Sequence, residues 1–290
     1  MKRLLLVALL PAVAGAQQKV LRGHSASPTV SVRLVAAVGA VRVVGWDRDS
    51  VELTGMIPKG ARVAFASGAP VELPTGMKMY IEMPDDAQPL DGSLQLRVPK
   101  GARVWVKTGS AAIEVTGVTG GLDLNVVGGS ITVHGSPREL RAESMDGNVV
   151  VDGSPEWMRA KTATGDITLQ GGQDVGASTI SGAIRASGGE VERVKLEATS
   201  GAISFASSLS RSAHVELETH SGPIDISLPV KSSLDIDVST ITGAIDNLWS
   251  KKRPAAGSEG RGMTLATSSG MEGARIQVRS FKGTVQLRPR

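Results

Sequence analysis

Catalysis needs reactive groups of matched type held close together, and this chain offers few. Asp225 and Asp246 come nearest to a catalytic pair. Glycoside hydrolysis requires two carboxylates about 5 to 9.5 Å apart. The two aspartates stand 21 residues apart, the spacing at which this stretch of the chain repeats, so neighbouring strands about 4.8 Å apart could carry them on one surface. The residues at the same phase in earlier repeats, Ser204, Arg185 and Thr168, imply no tuned pocket, and both aspartates read as exposed strand residues. His24, His134, His214 and His220 fall at different phases, so the repeat places no two of them on one metal, and no His-x-His or Asp-rich calcium repeat occurs. Asp146, Asp152 and Asp166 lie beside turns, where such residues bond their own backbone. Gly-x-Ser-x-Gly is absent, and so is a phosphate-binding Gly-x-x-x-x-Gly-Lys-Ser/Thr loop. The expectation is no catalytic residue, no metal and no cofactor. Two tryptophans remain. Trp105 and Trp157 alternate with inward residues and so point outward, where an indole stacks on sugar rings or marks a partner surface.

The elements that position these residues follow from a repeat. Taking the apolar residue after each turn as an anchor gives Ile113, Ile131, Val149, Ile167, Ile184, Ile203, Ile224, Ile245 and Val285. Successive gaps are 18, 18, 18, 17, 19, 21, 21 and 40 residues, the last being two repeats with one degraded copy, Ala266 to Gly270. Seven and nine residues before each anchor stand further apolar or small residues, such as Leu124 and Leu122 or Ala160 and Met158. Apolar residues two apart form one face of a β-strand. No window holds a helical apolar stripe. Each repeat reads as strand, Gly turn, strand, turn. The turn glycines are Gly129, Gly147, Gly165, Gly182, Gly201, Gly222, Gly243 and Gly283, assigned to a backbone shape costly to residues with a Cβ.

One such unit cannot bury its apolar face, but stacked units bury a continuous core. The expected fold is all-β, a single-stack parallel β-solenoid with coils of about 18–21 residues, right-handed because parallel crossovers take that hand. Stacking predicts columns. Ser144, Thr162, Thr179, Thr219, Thr240 and Ser280 form a hydroxyl ladder; Asp123, Arg141, Arg159, Lys195, Glu216 and Asp237 form an outward row of mixed sign.

Composition agrees. There are 35 Gly and few aromatics: three Phe, one Tyr and four Trp. Residues 1–16 read as a signal peptide: basic Lys2-Arg3, apolar Leu4 to Val13, and Ala14-Gly15-Ala16 with cleavage after Ala16. The apolar run is too short to span a bilayer. Without cysteine there is neither a disulfide nor a lipoprotein anchor. The expectation is an extracytoplasmic protein, periplasmic or secreted, with no membrane span after cleavage. Removing Lys2 and Arg3 from 32 basic residues leaves 30 against 28 acidic, or +2, which is no footprint for nucleic acid. Residues 17–98 read as an N-terminal cap with irregular first coils, and 99–290 as the regular solenoid. A polar loop at 250–262, carrying Lys251-Lys252-Arg253, breaks the pattern, and Ala274 to Leu287 closes the stack. An echo, Pro58-Lys59-Gly60-Ala61-Arg62-Val63 and Pro99-Lys100-Gly101-Ala102-Arg103-Val104, leads twice into a strand.

Four features carry a family resemblance: the opening Gly39-Ala40-Val41-Arg42-Val43-Val44-Gly45-Trp46-Asp47, the entry Val98-Pro99-Lys100-Gly101-Ala102, the serial Ser/Thr-Gly-x-Ile turns, and the closing Ser280-Phe281-Lys282-Gly283-Thr284-Val285. Together they resemble the bacterial candidate-adhesin family of exported β-solenoid domains, held as domains of unknown function, over residues 29–288. Ala111 stands where the first regular turn would have Gly. The resemblance implies a parallel β-helix outside the cytoplasm and transfers no site residues. The reading is a non-enzymatic, adhesin-like or envelope interaction protein acting through its repeat surface, with an envelope protein or a polysaccharide as partner. The alternatives are a carbohydrate-active β-helix enzyme and a self-assembling envelope filament.

Overall fold

The computed structural model describes residues 17–67, 75–85, 92–230, 232–257, 261–270 and 273–290. Residues 1–16, read above as a signal peptide, lie outside them. Among the described residues there are 25 strands and no helix.

The alternation of apolar and polar residues sets two strands per repeat. The first strands are β8 (Arg103–Thr108), β10 (Gly121–Val126), β12 (Glu139–Ser144), β14 (Trp157–Lys161) and β16 (Asp174–Thr179). They pair parallel, with Leu122 beside Leu140, Leu140 beside Met158 and Met158 beside Val175. The second strands are β9 (Ala112–Thr116), β11 (Ile131–His134), β13 (Val149–Asp152) and β15 (Ile167–Gln170). They stack anchor on anchor, Ile113 to Ile131 to Val149 to Ile167. In β17 (Ile184–Ala198) and β18 (Ile203–Thr219) one long strand serves as the second of one coil and the first of the next. All nine anchors are buried, as are the residues seven and nine positions before them, in one continuous core.

The turn glycines are needed for a different reason from the one expected. None of the eight has a left-handed φ. Each lies instead against the carbonyl of the coil below: a Cβ on Gly165 would sit 2.1 Å from the Gly147 oxygen, and one on Gly201 1.8 Å from the Gly182 oxygen. The turn is tight because coils touch there.

The expectation of a clean parallel single stack is corrected at both ends. The sheet is mixed. At the start, β1 (Gln17–Ser25) runs antiparallel to β4 (Ser50–Pro58), β4 antiparallel to β7 (Ser93–Pro99), and β5 (Arg62–Ser67) antiparallel to β6 (Gly76–Glu82). The coil of β2 (Ser31–Ala36) and β3 (Ala40–Trp46) lies between that of β6 and β7 and that of β8 and β9. At the other end, β19 (Ile224–Leu228) and the end of β18 pair with β25 (Val285–Pro289) and β24 (Ala274–Ser280). These in turn pair with β21 (Ile245–Asn247) and β20 (Leu234–Thr240). The last coil in sequence is therefore the penultimate coil in space and does not close the stack. The glycine ladder gives the same order, with Gly283 resting on Gly222 and Gly243 on Gly283. Nor is 266–270 a degraded coil. It belongs to β23 (Met263–Ser269), which runs antiparallel along β20 and covers the end, with the two-residue β22 (Ala255–Ala256) beside it.

Candidate interaction surface

The outward residues of the first strands form a broad face, and its relief follows from side-chain size. On β8 stand Arg103 and Trp105; on β10, Gly121 and Asp123; on β12, Glu139 and Arg141; on β14, Trp157 and Arg159. Gly121 and Asp123 are the shortest of these, so the face dips over β10. The resulting groove holds about 690 Å³ and runs from Trp105 to Trp157, with Leu122 in its floor and Arg138, Glu156, Asp174 and Arg193 on its rim. The two indoles are three coils apart, roughly 14 Å along the stack.

Both tryptophans are half-buried and point outward, and the fold brings both to the same groove. The Arg33 guanidinium lies 4.6 Å from the Trp105 ring. Arg33 belongs to β2, on the side of β8 away from β10. Arg159 lies 4.6 Å and Arg141 6.0 Å from the Trp157 ring. Such stacking over an aromatic ring is worth about 0.5–1 kcal/mol at exposed sites and holds the indoles in place. Asp174 accepts from Arg159 Nη1 and Arg193 Nε, each at 2.8 Å. Asp123 accepts from the Asn125 amide. Among the described residues Arg103, Arg138 and Arg141 make no ion pair, and neither do Glu139 and Glu156. The groove therefore presents free donors and free acceptors side by side between two apolar rings. Sequence reasoning found the tryptophans and placed Arg141 and Arg159 in an outward row, but did not bring Arg33, Arg103, Arg138 and Arg193 to them. Arg33 lies in the irregular stretch 17–98, whose pairing the repeat does not reveal.

The other sequence candidates are placed elsewhere. Asp225 and Asp246 share a column, but Gln286 of the inserted coil lies between them, and Arg288 binds Asp225 at 2.7 Å. Neither aspartate lines the groove that holds the tryptophans. The histidines are dispersed: His24 stacks on Phe65, His220 on Phe281, His134 lies 3.6 Å from Asp152, and His214 2.9 Å from Glu216. Asp166 serves the next coil rather than its own backbone. It accepts from the Ala183 amide at 2.8 Å and from Arg185 at 3.0 Å, and these two hydrogen bonds hold its carboxyl below the ordinary carboxylate value. Asp146 accepts from the Thr164 hydroxyl, also one coil on. Lys251, Lys252 and Arg253 are exposed, away from the groove.

The family described as Toastrack DUF4097 matches residues 90–288. Among solved structures, the chain is similar to a candidate adhesin from Bacteroides fragilis at 11% identity and TM-score 0.49, covering 94% of this chain and 98% of that one. It is similar to a candidate lipid-binding protein from Parabacteroides distasonis at 12% and 0.45, covering 93% and 96%. A candidate cell adhesion protein from Clostridium sporogenes matches at 8% and 0.29, covering 95% and 100%. No curated protein matches.

Proposed function

The chain belongs to the Toastrack DUF4097 family, and from that premise we propose that it is an exported, non-enzymatic interaction protein of the cell envelope, with the Trp105–Trp157 groove as its contact for a polysaccharide. The observation that carries this reading is the pairing of two braced indoles with mixed-sign polar groups. A glycan hydroxyl is both donor and acceptor, so it uses guanidinium and carboxylate alike. A pyranose ring presents C–H groups to an indole face. A polyanion finds less here, because the rim arginines are matched by Asp123, Glu139, Glu156 and Asp174. A shallow open groove along the stack suits a section of a long chain rather than an enclosed small molecule.

The test is a polysaccharide array probed with residues 17–290, read for binding and for cleavage together. Binding without cleavage is expected. Trp105→Ala and Trp157→Ala should each weaken it roughly tenfold, about 1.4 kcal/mol. Cleavage products would overturn the non-enzymatic reading, and a silent array would overturn the glycan. Export is tested separately, by finding Gln17 as the amino terminus of the secreted chain.

A further inference from the structure

A second surface, on the narrow edge of the stack, stands apart from the groove. Four residues before the anchors, Val127, Met145, Ile180, Phe281 and Ile241 fall in one column, and they are 52%, 56%, 58%, 41% and 48% exposed. Ala163, Thr199 and His220 fill the remaining positions, His220 stacking on Phe281 at 4.8 Å. Backbone hydrogen bonds tie the column coil to coil: Met145 donates to Val127, Ala163 to Met145 and Ile180 to Ala163. The strip spans seven coil spacings, roughly 34 Å. A rigid apolar strip of that length with polar margins marks an interaction surface.

We propose that this edge is the interface of a two-fold dimer in which two copies pack with their stacks antiparallel. The charges beside the strip select this arrangement. One margin reads, in spatial order from the Val127 coil, Asn125, Glu143, Lys161, Ser178, then Glu197, Glu218, Arg279, Ser239. On the other margin the charged residues are Asp146, beside Met145, and Lys282, beside Phe281. A two-fold axis across the strip sets each margin against its own copy with the coil order reversed. Centred between the Ile180 and Thr199 coils, it places Glu143 against the partner's Arg279, Lys161 against the partner's Glu218, and Asp146 against the partner's Lys282. The apolar column matches large to small in the same register: Ile180 meets Thr199 and Ala163 meets His220, while Met145 meets Phe281 and Val127 meets Ile241. A 570 Å³ groove bounded by His220, Phe281, Ile241 and Arg279 lies opposite the partner's Val127 and Met145.

Other registers fail on charge. Sliding the axis by half a coil one way opposes Glu143 to Glu218, and by half a coil the other way opposes Lys161 to Arg279. Parallel stacking faces Glu143 with Asp146 and Arg279 with Lys282. Like charges directly opposed destabilise an interface. An isologous contact of this kind closes on itself and does not propagate. The strip is narrower than the patch of about 800 Å² per partner in a standard interface, so the dimer is weak and reversible.

Sedimentation of residues 17–290 from about 1 to 100 µM, the range a small interface occupies, should show a monomer–dimer equilibrium. Glu143→Arg and Arg279→Glu should each weaken it at least tenfold, and the double variant should restore it. The two residues are five coils apart in one chain, roughly 24 Å, so rescue requires two chains. The chain has no cysteine, so Met145→Cys and Phe281→Cys made on separate chains should join by a disulfide when mixed with a thiol oxidant such as diamide, which takes up the two protons and two electrons released. A monomer at every concentration overturns the proposal, as does a dimer indifferent to both charge reversals. Binding of the monomer to phosphatidylcholine vesicles that Ile180→Asp abolishes would assign the strip to a lipid surface instead. Far-UV circular dichroism controls for folding in every variant.

Discussion

At the residue scale the coil-to-coil spacing does most of the selecting, and turn glycines show how. Gly201 has an ordinary φ, yet any Cβ there would lie 1.8 Å from the Gly182 carbonyl oxygen. Gly128, also in a turn, has nothing within 4 Å. Gly201→Ala should therefore lower the urea midpoint by an amount worth about 1–3 kcal/mol, the usual cost of overpacking. Gly128→Ala should leave the midpoint within error. Equal effects at both sites would mean that backbone entropy, not contact, governs these turns. Asp166 gives a pH-dependent case. Its folded-state carboxyl is held below the ordinary 3.8 by the Ala183 amide first and Arg185 second. Its stabilising contribution is thus complete above pH 3.8 and is lost as pH falls through the lowered folded-state value. The side chain is 46% exposed, so solvent screening limits the contribution to less than about 1 kcal/mol. Urea titrations of Asp166→Ala and the parent should run apart at pH 7 and converge at strongly acid pH.

At the scale of the element, the buried hydroxyl column explains why most first strands run into a Ser or Thr, Val126 and Ala198 being the apolar exceptions in the column. Ser144, Thr162, Thr179, Thr219, Thr240 and Ser280 are all buried. Thr162 donates to the Gly165 carbonyl at 2.6 Å, and Thr179 accepts from the Gly182 amide at 3.1 Å. Each hydroxyl clamps the turn that follows it. Thr108 occupies the same column, but its Oγ1 is buried without a partner, and the residue three on is Ala111. Thr162→Val should cost about 1–2 kcal/mol, while Thr108→Val removes an unsatisfied group and should be neutral or stabilising. Thermal denaturation of the two variants checks the contrast. This much was legible in the sequence, because a period of two within strands and about 18–21 between coils fixes which side chains are buried and which share a column. The antiparallel ends were not legible. Pro58 to Val63 and Pro99 to Val104 close with the same hydrogen bond, Ala61 and Ala102 each donating to the proline carbonyl three residues back, although Gly60 has φ +88° and Gly101 has no left-handed φ. Yet β5 leaves one turn to pair antiparallel and β8 leaves the other to pair parallel. A shared local sequence sets the hydrogen bond that closes the turn, and the neighbours it meets set the backbone shape and the pairing.

At the scale of the whole molecule, the order of coils is a property that no residue encodes singly. The coil carrying Ile236, Val238 and Ile245 and the coil carrying Ile276, Val278 and Val285 present equivalent inward residues, all buried. Either could sit on Ile224 with the same apolar burial, so composition does not decide between them. The chain places the later one inside. The earlier one lies at the end, where β23 turns back and pairs along the outer edge of β20. A sheet edge left open would template further pairing. Stability should then follow spatial rather than sequence position. Amide hydrogen exchange should protect β24 and β25 as strongly as β14 and β15, although they lie at the carboxyl terminus, where fraying is the rule. Ending the chain at Leu248 should not merely shorten the stack. It removes the coil on which both Ile224 and Ile245 rest, and the remnant should aggregate or lose cooperative unfolding. A soluble, cooperatively folded chain ending at Leu248, or rapid exchange in β24, would show that the last coil is an appendage rather than an insert.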